Sequence, residues 1–251
     1  MLKLIINADD FGYSRAVNYG IIDAHEQGVL TSTTLMTNMP GAGHAYELGR
    51  KHTTLGIGVH LTLTCGKPLL SDHTTLVDVD GNFKKLYQYQ GKFHIDQDEL
   101  YREWKAQIEA FYRSGLLPTH LDSHHHINSL EPMIPVFIRL AKEYKLPVRN
   151  NIKDKSMLEG VVTTDVFEYN PEVMLADAKT IHKKYAGAGT IEIMCHPAYL
   201  DKSLMDNSSY ATPRLDELYT ITAPHTKEKL QSTNNFNLIN YNDLKGEVNK
   251  S

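Results

Sequence analysis

Pro118-Thr-His-Leu-Asp-Ser-His-His-His-Ile-Asn128 places His120, Asp122, His124 and His126 at alternate positions. An extended chain turns alternate side chains to one face. This reading predicts a strand end that presents three imidazoles and a carboxylate in one direction, with His125 turned to the opposite side. A solvated surface has little use for that grouping, and an apolar core does not tolerate it unpaired. It fits a divalent metal ion, a substrate, or both.

On either side of this segment, apolar runs of strand length alternate with helical patterns. Residues 2–8, 30–36, 55–63, 118–123, 146–149 and 189–195 read as strands, with a final one at 236–241. Helices are expected over 14–27, 43–51, 97–115, 131–145 and 171–185, with a short one at 214–218. The 97–115 helix carries Leu100, Trp104, Ile108 and Phe111 on one stripe, and Pro132 suits the first turn of the helix at 131–145. Repeated β-then-α order argues for a mostly parallel sheet. About seven strands in 251 residues suggest one catalytic domain built as a distorted or incomplete (β/α) barrel, with a doubly wound open sheet as the alternative. Residues 65–96 form a long irregular insertion with a turn at Asp80-Gly81. It is too long for an idle connection and is expected to cap the site.

The polar clusters fall where the strands end. Asp9-Asp10 closes the first strand, His60 closes Gly56-Ile-Gly-Val-His60, and His196 closes Ile191-Glu-Ile-Met-Cys-His196. In barrels and open sheets the carboxyl ends of strands hold the active site. Singly, each group has a plainer reading: a helix N-cap for either aspartate, a satisfied core histidine for His60. Asp122 is expected to orient an imidazole from behind. A carboxylate and two histidines from separate strands make a three-ligand site that leaves room for water and substrate. A metal there, with a carboxylate to take a proton and a histidine to return it, describes hydrolysis of an amide or ester.

Composition removes other classes. The hydrophobic fraction of 41% supports a sizeable core, and the net charge of −4 without a basic run argues against nucleic-acid or anionic-membrane binding. No apolar run approaches the ~20 residues of a membrane span. Cys65 and Cys195 lie far apart with no metal-type spacing, as expected of free thiols in a reducing compartment, so a cytoplasmic location is expected. A homodimer is the expected assembly.

Asn7-Ala-Asp-Asp-Phe-Gly12, Thr31-Ser-Thr-Thr34, Gly58-Val-His-Leu61, the histidine segment and Met194-Cys-His-Pro-Ala198 together resemble the YdjC-like carbohydrate deacetylases. The likeness runs from the N-terminus to about Tyr219. It implies a barrel related to that of the polysaccharide deacetylases. The implied reaction removes the N-acetyl group from an N-acetylglucosamine unit of a short chitooligosaccharide, releasing acetate. It carries over Asp10, His60 and His124 as metal ligands, Asp9 as general base and His196 as general acid. Magnesium is the metal the resemblance implies, while two imidazoles suit zinc, cobalt, manganese or iron on ligand preference. Many relatives have histidine where this chain has Asn128, which could instead bind a sugar hydroxyl. Tyr199, Tyr87 and Tyr89 are candidates for stacking on sugar rings. A 6-phosphorylated sugar could be held by Arg149 or Arg214, each of which could equally be a structural ion pair. The alternatives are another metal-dependent amide, ester or phosphoester hydrolase, or a non-catalytic sugar-binding regulator with a vestigial site.

Overall fold

The structure is a computed structural model that describes residues 1–231 and 236–248. Seven strands form one sheet, paired in parallel throughout. They are β1 (Leu2–Phe11), β2 (Ser32–Leu35), β3 (Gly56–Leu61), β4 (Leu121–Ser123), β5 (Val166–Glu168), β6 (Thr190–Cys195) and β7 (Phe236–Leu238). The order is β4-β3-β2-β1-β6-β5, with β7 beside the start of β1. The sheet curls into a distorted, incomplete barrel. Its edge strands approach each other through isolated bridges from Val148, to Leu121 on one side and to Thr163 on the other. Nine of the ten residues of β1 are buried, as expected of a parallel strand covered on both faces.

The helices that cover the sheet are α1 (Arg15–Glu26), α2 (Ala42–Lys51), α3 (Gln97–Arg113), α4 (Ile134–Tyr144), α5 (Ala178–Lys184), α6 (Lys202–Asn207), α7 (Pro213–Thr222), α8 (Pro224–Gln231) and α9 (Tyr241–Val248). Ser14 starts α1 by accepting a hydrogen bond from the Val17 amide, and Asp96 starts α3 by accepting from Asp98 and Glu99. None is long and apolar enough to cross a membrane. Residues 65–96 contain a single 3-10 turn, Leu86–Tyr89, and are tied to α3 by two carboxylates. Glu103 accepts from the amides of Leu69 and Leu70 and sits 3.0 Å from His73. Glu99 accepts from the amides and hydroxyls of Thr74 and Thr75.

Several expected elements differ. The stretch 146–149 contributes only the Val148 bridges, because Pro147 supplies no amide to a ladder. The expected helix at 171–185 is broken into a 3-10 turn, Pro171–Leu175, and α5, since Asp177 caps a new start at the Thr180 amide. Helix α4 begins three residues later than expected, with Pro135 rather than Pro132 in its first turn. The final strand ends at Leu238, and Tyr241 opens α9. The short helix expected at 214–218 is the middle of the longer α7.

Candidate active site

Two adjacent residues on a regular strand point to opposite faces. Asp9 and Asp10 do not, because β1 carries a bulge: its register against β2 shifts between Ala8 and Phe11, and Asp10 adopts φ 73°. Aspartate is among the few residues that accept this left-handed geometry. Both carboxylates therefore face His60, whose Nε2 lies 3.4 Å from Asp10 Oδ1 and 4.0 Å from Asp9 Oδ2. Gly12, at φ 91°, continues the turn, and its amide donates to Asn18 on α1.

His60 leaves β3 level with Asp122 on β4. Cross-strand neighbours share a face, so Asp122 Oδ1 meets His60 Nδ1 at 2.7 Å. That contact places a proton on Nδ1 and makes Nε2, which faces Asp10, the nitrogen that could bind a metal ion. Thr34 on β2 bonds the same pair. Beyond Ser123 the chain is not extended. His124–Ser129 forms a 3-10 turn in which His125 and His126 take positive φ of 55° and 54°. The alternate-face expectation therefore holds no further than Ser123. His124 Nδ1 comes within 2.9 Å of Asp10 Oδ1, and the His125 ring packs on His124 at 3.8 Å rather than facing away. His120 lies below the site, stacked 3.7 Å from the ring of Tyr241. Asn128 is buried, tied to Ser123 and Asn151, and does not line the cavity.

Arg149 organises the barrel interior. Its guanidinium is fully buried and makes a two-pronged contact with Asp9 at 2.6 and 2.8 Å. It also meets Glu192 at 2.8 Å and Asp122 at 2.9 Å. With all three of its guanidinium nitrogens bound to carboxylates, Arg149 takes the ion-pair reading and is not placed to hold a phosphate. Burial would raise the Asp9 carboxyl, but Arg149 outweighs it and holds the group below the usual carboxylate range. Asp10 is held well below its usual value against burial by His124 and Arg214, whose Nη2 donates to it at 2.6 Å.

On the opposite side of Asp9 stands His196, at the end of β6, with Nε2 4.0 Å from Asp9 Oδ2. Burial pulls this imidazole below its usual value. Glu217 on α7 accepts from the His196 amide and from the Tyr210 phenol, and the Tyr210 ring meets the His196 ring edge-on. Arg214, one turn earlier on α7, donates through Nε to the Tyr210 carbonyl, so α7 braces both Asp10 and His196. Glu217, Tyr210 and Tyr13 escape a reading by strand ends because they sit on or beside helices without a motif.

Asp9, Asp10, His124, His125, His126 and His196 line one cavity of about 590 Å³, within the range of small-ligand sites. Lys85 and Leu86 from the 65–96 insertion line it too. Of the expected sugar-stacking residues, Tyr199 points away, donating to Asp23 at 2.5 Å. Tyr89 is buried against Phe93, and Tyr87 is exposed outside the cavity lining.

Among the described residues, two sets of side chains could hold a metal ion: Asp10, His60 and His124, or Asp9, His60 and Asp122. The second set is already engaged, since Arg149 occupies Asp9 and Asp122, and Asp122 occupies His60 Nδ1. In the first set, Asp10 Oδ1 and His60 Nε2 are buried 3.4 Å apart without a well-directed hydrogen bond, and His124 Nδ1 lies 2.9 Å from the same oxygen. Buried polar atoms are rarely left so, and a cation between them satisfies both. One carboxylate oxygen and two imidazoles are a chemically suitable donor set.

Residues 3–232 match the YdjC-like protein family. The chain is similar to a carbohydrate deacetylase of Halalkalibacterium halodurans, 48% identical over 88% of this chain and 95% of the relative. A carbohydrate deacetylase of Brevibacillus brevis is 40% identical over 97% of this chain and its own full length. Among solved structures, a candidate cellobiose-phosphate cleavage protein of Enterococcus faecalis superposes with a TM-score of 0.87 at 38% identity, covering 97% of this chain and 98% of that one. A deacetylase solved with substrate superposes at 0.52 with 13% identity, covering 98% and 92% of the two chains, and so shares the fold.

Proposed function

The chain belongs to the YdjC-like family, and from that premise we propose that it is a metal-dependent carbohydrate deacetylase. The observation that carries the proposal is the convergence of His60 Nε2 and His124 Nδ1 on one buried oxygen, Asp10 Oδ1, at 3.4 and 2.9 Å, beside Asp9 and His196. The names of the similar bacterial proteins support the same reading. Its substrate is a short oligosaccharide carrying N-acetylglucosamine, with acetate and a free amine as products.

Asp10, His60 and His124 hold a divalent ion. A divalent ion held there would supply Lewis acidity toward the amide carbonyl and the attacking water. Asp9, kept ionised by Arg149, accepts the water's proton through Oδ2. His196, 4.0 Å from that oxygen and with a pKa lowered by burial, takes up this proton from Asp9 and delivers it to the departing amine. Asp122 fixes the His60 tautomer, and Glu217 holds the His196 backbone. The 65–96 insertion caps the cavity through Lys85 and Leu86. Arg214 Nη1 is buried without a hydrogen-bond partner, and Arg214 and Lys85 line the same cavity, so a phosphorylated sugar also fits.

The ligand variants His60→Ala and His124→Ala are expected to lose both metal and acetate release while keeping the wild-type circular dichroism spectrum. Asp9→Asn is expected to keep its metal and lose about 10²–10⁴-fold in turnover. Full turnover with bound metal in either histidine variant refutes the assignment, and metal loss in Asp9→Asn means that the two aspartates exchange roles.

A further inference from the structure

Three tyrosines line the cavity, and they differ in what is left of them for a ligand. Tyr13 is buried, and the Tyr210 phenol is bound to Glu217. Tyr169 keeps 51% of its surface exposed. Its ring is nonetheless held in place: Phe167 meets it at 4.3 Å and His126 at 5.1 Å, both near edge-on. Phe167 is itself fixed beneath the buried Arg149 guanidinium, 4.7 Å from the ring centre. The positive φ of His126 turns that imidazole toward Phe167 and Tyr169, which an extended continuation of β4 would not do. A half-exposed aromatic with fixed neighbours loses little rotamer freedom on binding, and its apolar face suits the C–H face of a pyranose ring.

Position adds a second argument. Tyr169 follows Glu168, the last residue of β5, and Glu168 is level with Ile193 on β6. Tyr169 is thus level with Met194, two residues short of His196. Strand spacing and rise put the two backbones roughly 8 Å apart, far enough for a second ring to lie beside the one that reacts. We infer that Tyr169, braced by Phe167 and His126, is a stacking platform for the sugar ring adjoining the one that reacts, and that it selects oligosaccharides over monosaccharides. The inference rests on the deacetylase reading only for which ring lies at His196.

The test measures dissociation constants by calorimetry for N-acetylglucosamine, diacetylchitobiose and cellobiose on metal-replete wild type, Tyr169→Ala and Tyr169→Phe, with acetate release recorded alongside. Tyr169→Ala is expected to weaken both disaccharides about tenfold and to leave the monosaccharide within about twofold. Tyr169→Phe keeps the stacking face and binds as wild type, which separates stacking from a folding defect. Unchanged disaccharide binding in Tyr169→Ala overturns the inference. So does equal weakening of the monosaccharide, or wild type that binds neither disaccharide. Wild type that binds disaccharides with the Tyr169 dependence but releases no acetate leaves the platform standing and removes the deacetylase reading alone.

Discussion

Asp122 shows how much of this site depends on residues that touch no reactant. It accepts hydrogen bonds from His60 Nδ1 and Thr34 and neutralises part of Arg149. Asp122→Asn keeps the shape but removes the charge that makes the His60 Nε2 lone pair basic. Metal affinity is expected to fall roughly 10–100-fold in a calorimetric titration, with the fold intact; unchanged affinity would mean that Asp122 serves only to balance Arg149. Asp9, Asp10, His60 and His196, which the structure brings together with His124, could be singled out in the sequence because each stands at the end of an apolar run, and His124 because of the alternation that precedes it. Arg149 was not legible as the hub, since Glu192 and Asp9 lie 43 and 140 positions away and only the closed sheet brings them together. Tyr169 gave no signal, because a tyrosine after three half-buried strand residues reads as ordinary surface.

The 65–96 insertion is anchored by Leu76, Phe83, Tyr89 and Ile95 in the main core and by two carboxylates of α3. Burial would raise the Glu99 carboxyl, but four hydrogen bonds from Thr74 and Thr75 outweigh it and hold the group at about 2. A carboxylate whose folded pKa lies below its ordinary 4.5 stabilises the fold fully above that value, and the contribution is lost as pH falls through 2. The protection factors of the Thr74 and Thr75 amides are therefore expected to fall between pH 4.5 and 2, ahead of those of β1; simultaneous loss would refute a separately tethered segment. Glu99→Gln is expected to cost about 1–3 kcal/mol, because one amide cannot replace both carboxylate oxygens. Gly58 is a second pressure point: a Cβ there would lie 2.6 Å from the His120 ring. Gly58→Ala is expected to destabilise by about 1–3 kcal/mol in denaturant titration and to displace β3 with His60. The strand–helix alternation was readable from periodicity. The turn at His124–Ser129 was not, because two successive non-glycine residues at positive φ follow no turn signal. Nor was β5, whose three half-buried residues carry neither a long apolar run nor a clear alternation.

Across the whole molecule, the barrel interior gathers four carboxylates, Asp9, Asp10, Asp122 and Glu192, around two guanidinium groups, those of Arg149 and Arg214. Without an ion the histidines make up part of the difference. Burial would lower both, but Asp122 and Asp9 push His60 up to about 10, and Asp10 pushes His124 up to about 9. Groups with raised folded values stabilise the metal-free protein fully below the ordinary 6.5, and that contribution is lost as pH rises through 9 and 10. A divalent ion must displace those protons. The gain in melting temperature on adding metal is therefore expected to grow between pH 7 and 10, reaching about 2.7 kcal/mol of stabilisation at a hundredfold excess over the dissociation constant; a gain that shrinks over that range contradicts the ligand set. The most direct measurement is acetate release from diacetylchitobiose and its 6-phosphate by chelator-stripped protein, reconstituted separately with magnesium, zinc, cobalt and manganese. The expected result is no release from stripped protein and restored release with at least one ion. Equal release with and without metal, or none with any ion despite metal bound at Asp10, His60 and His124, would contradict the account.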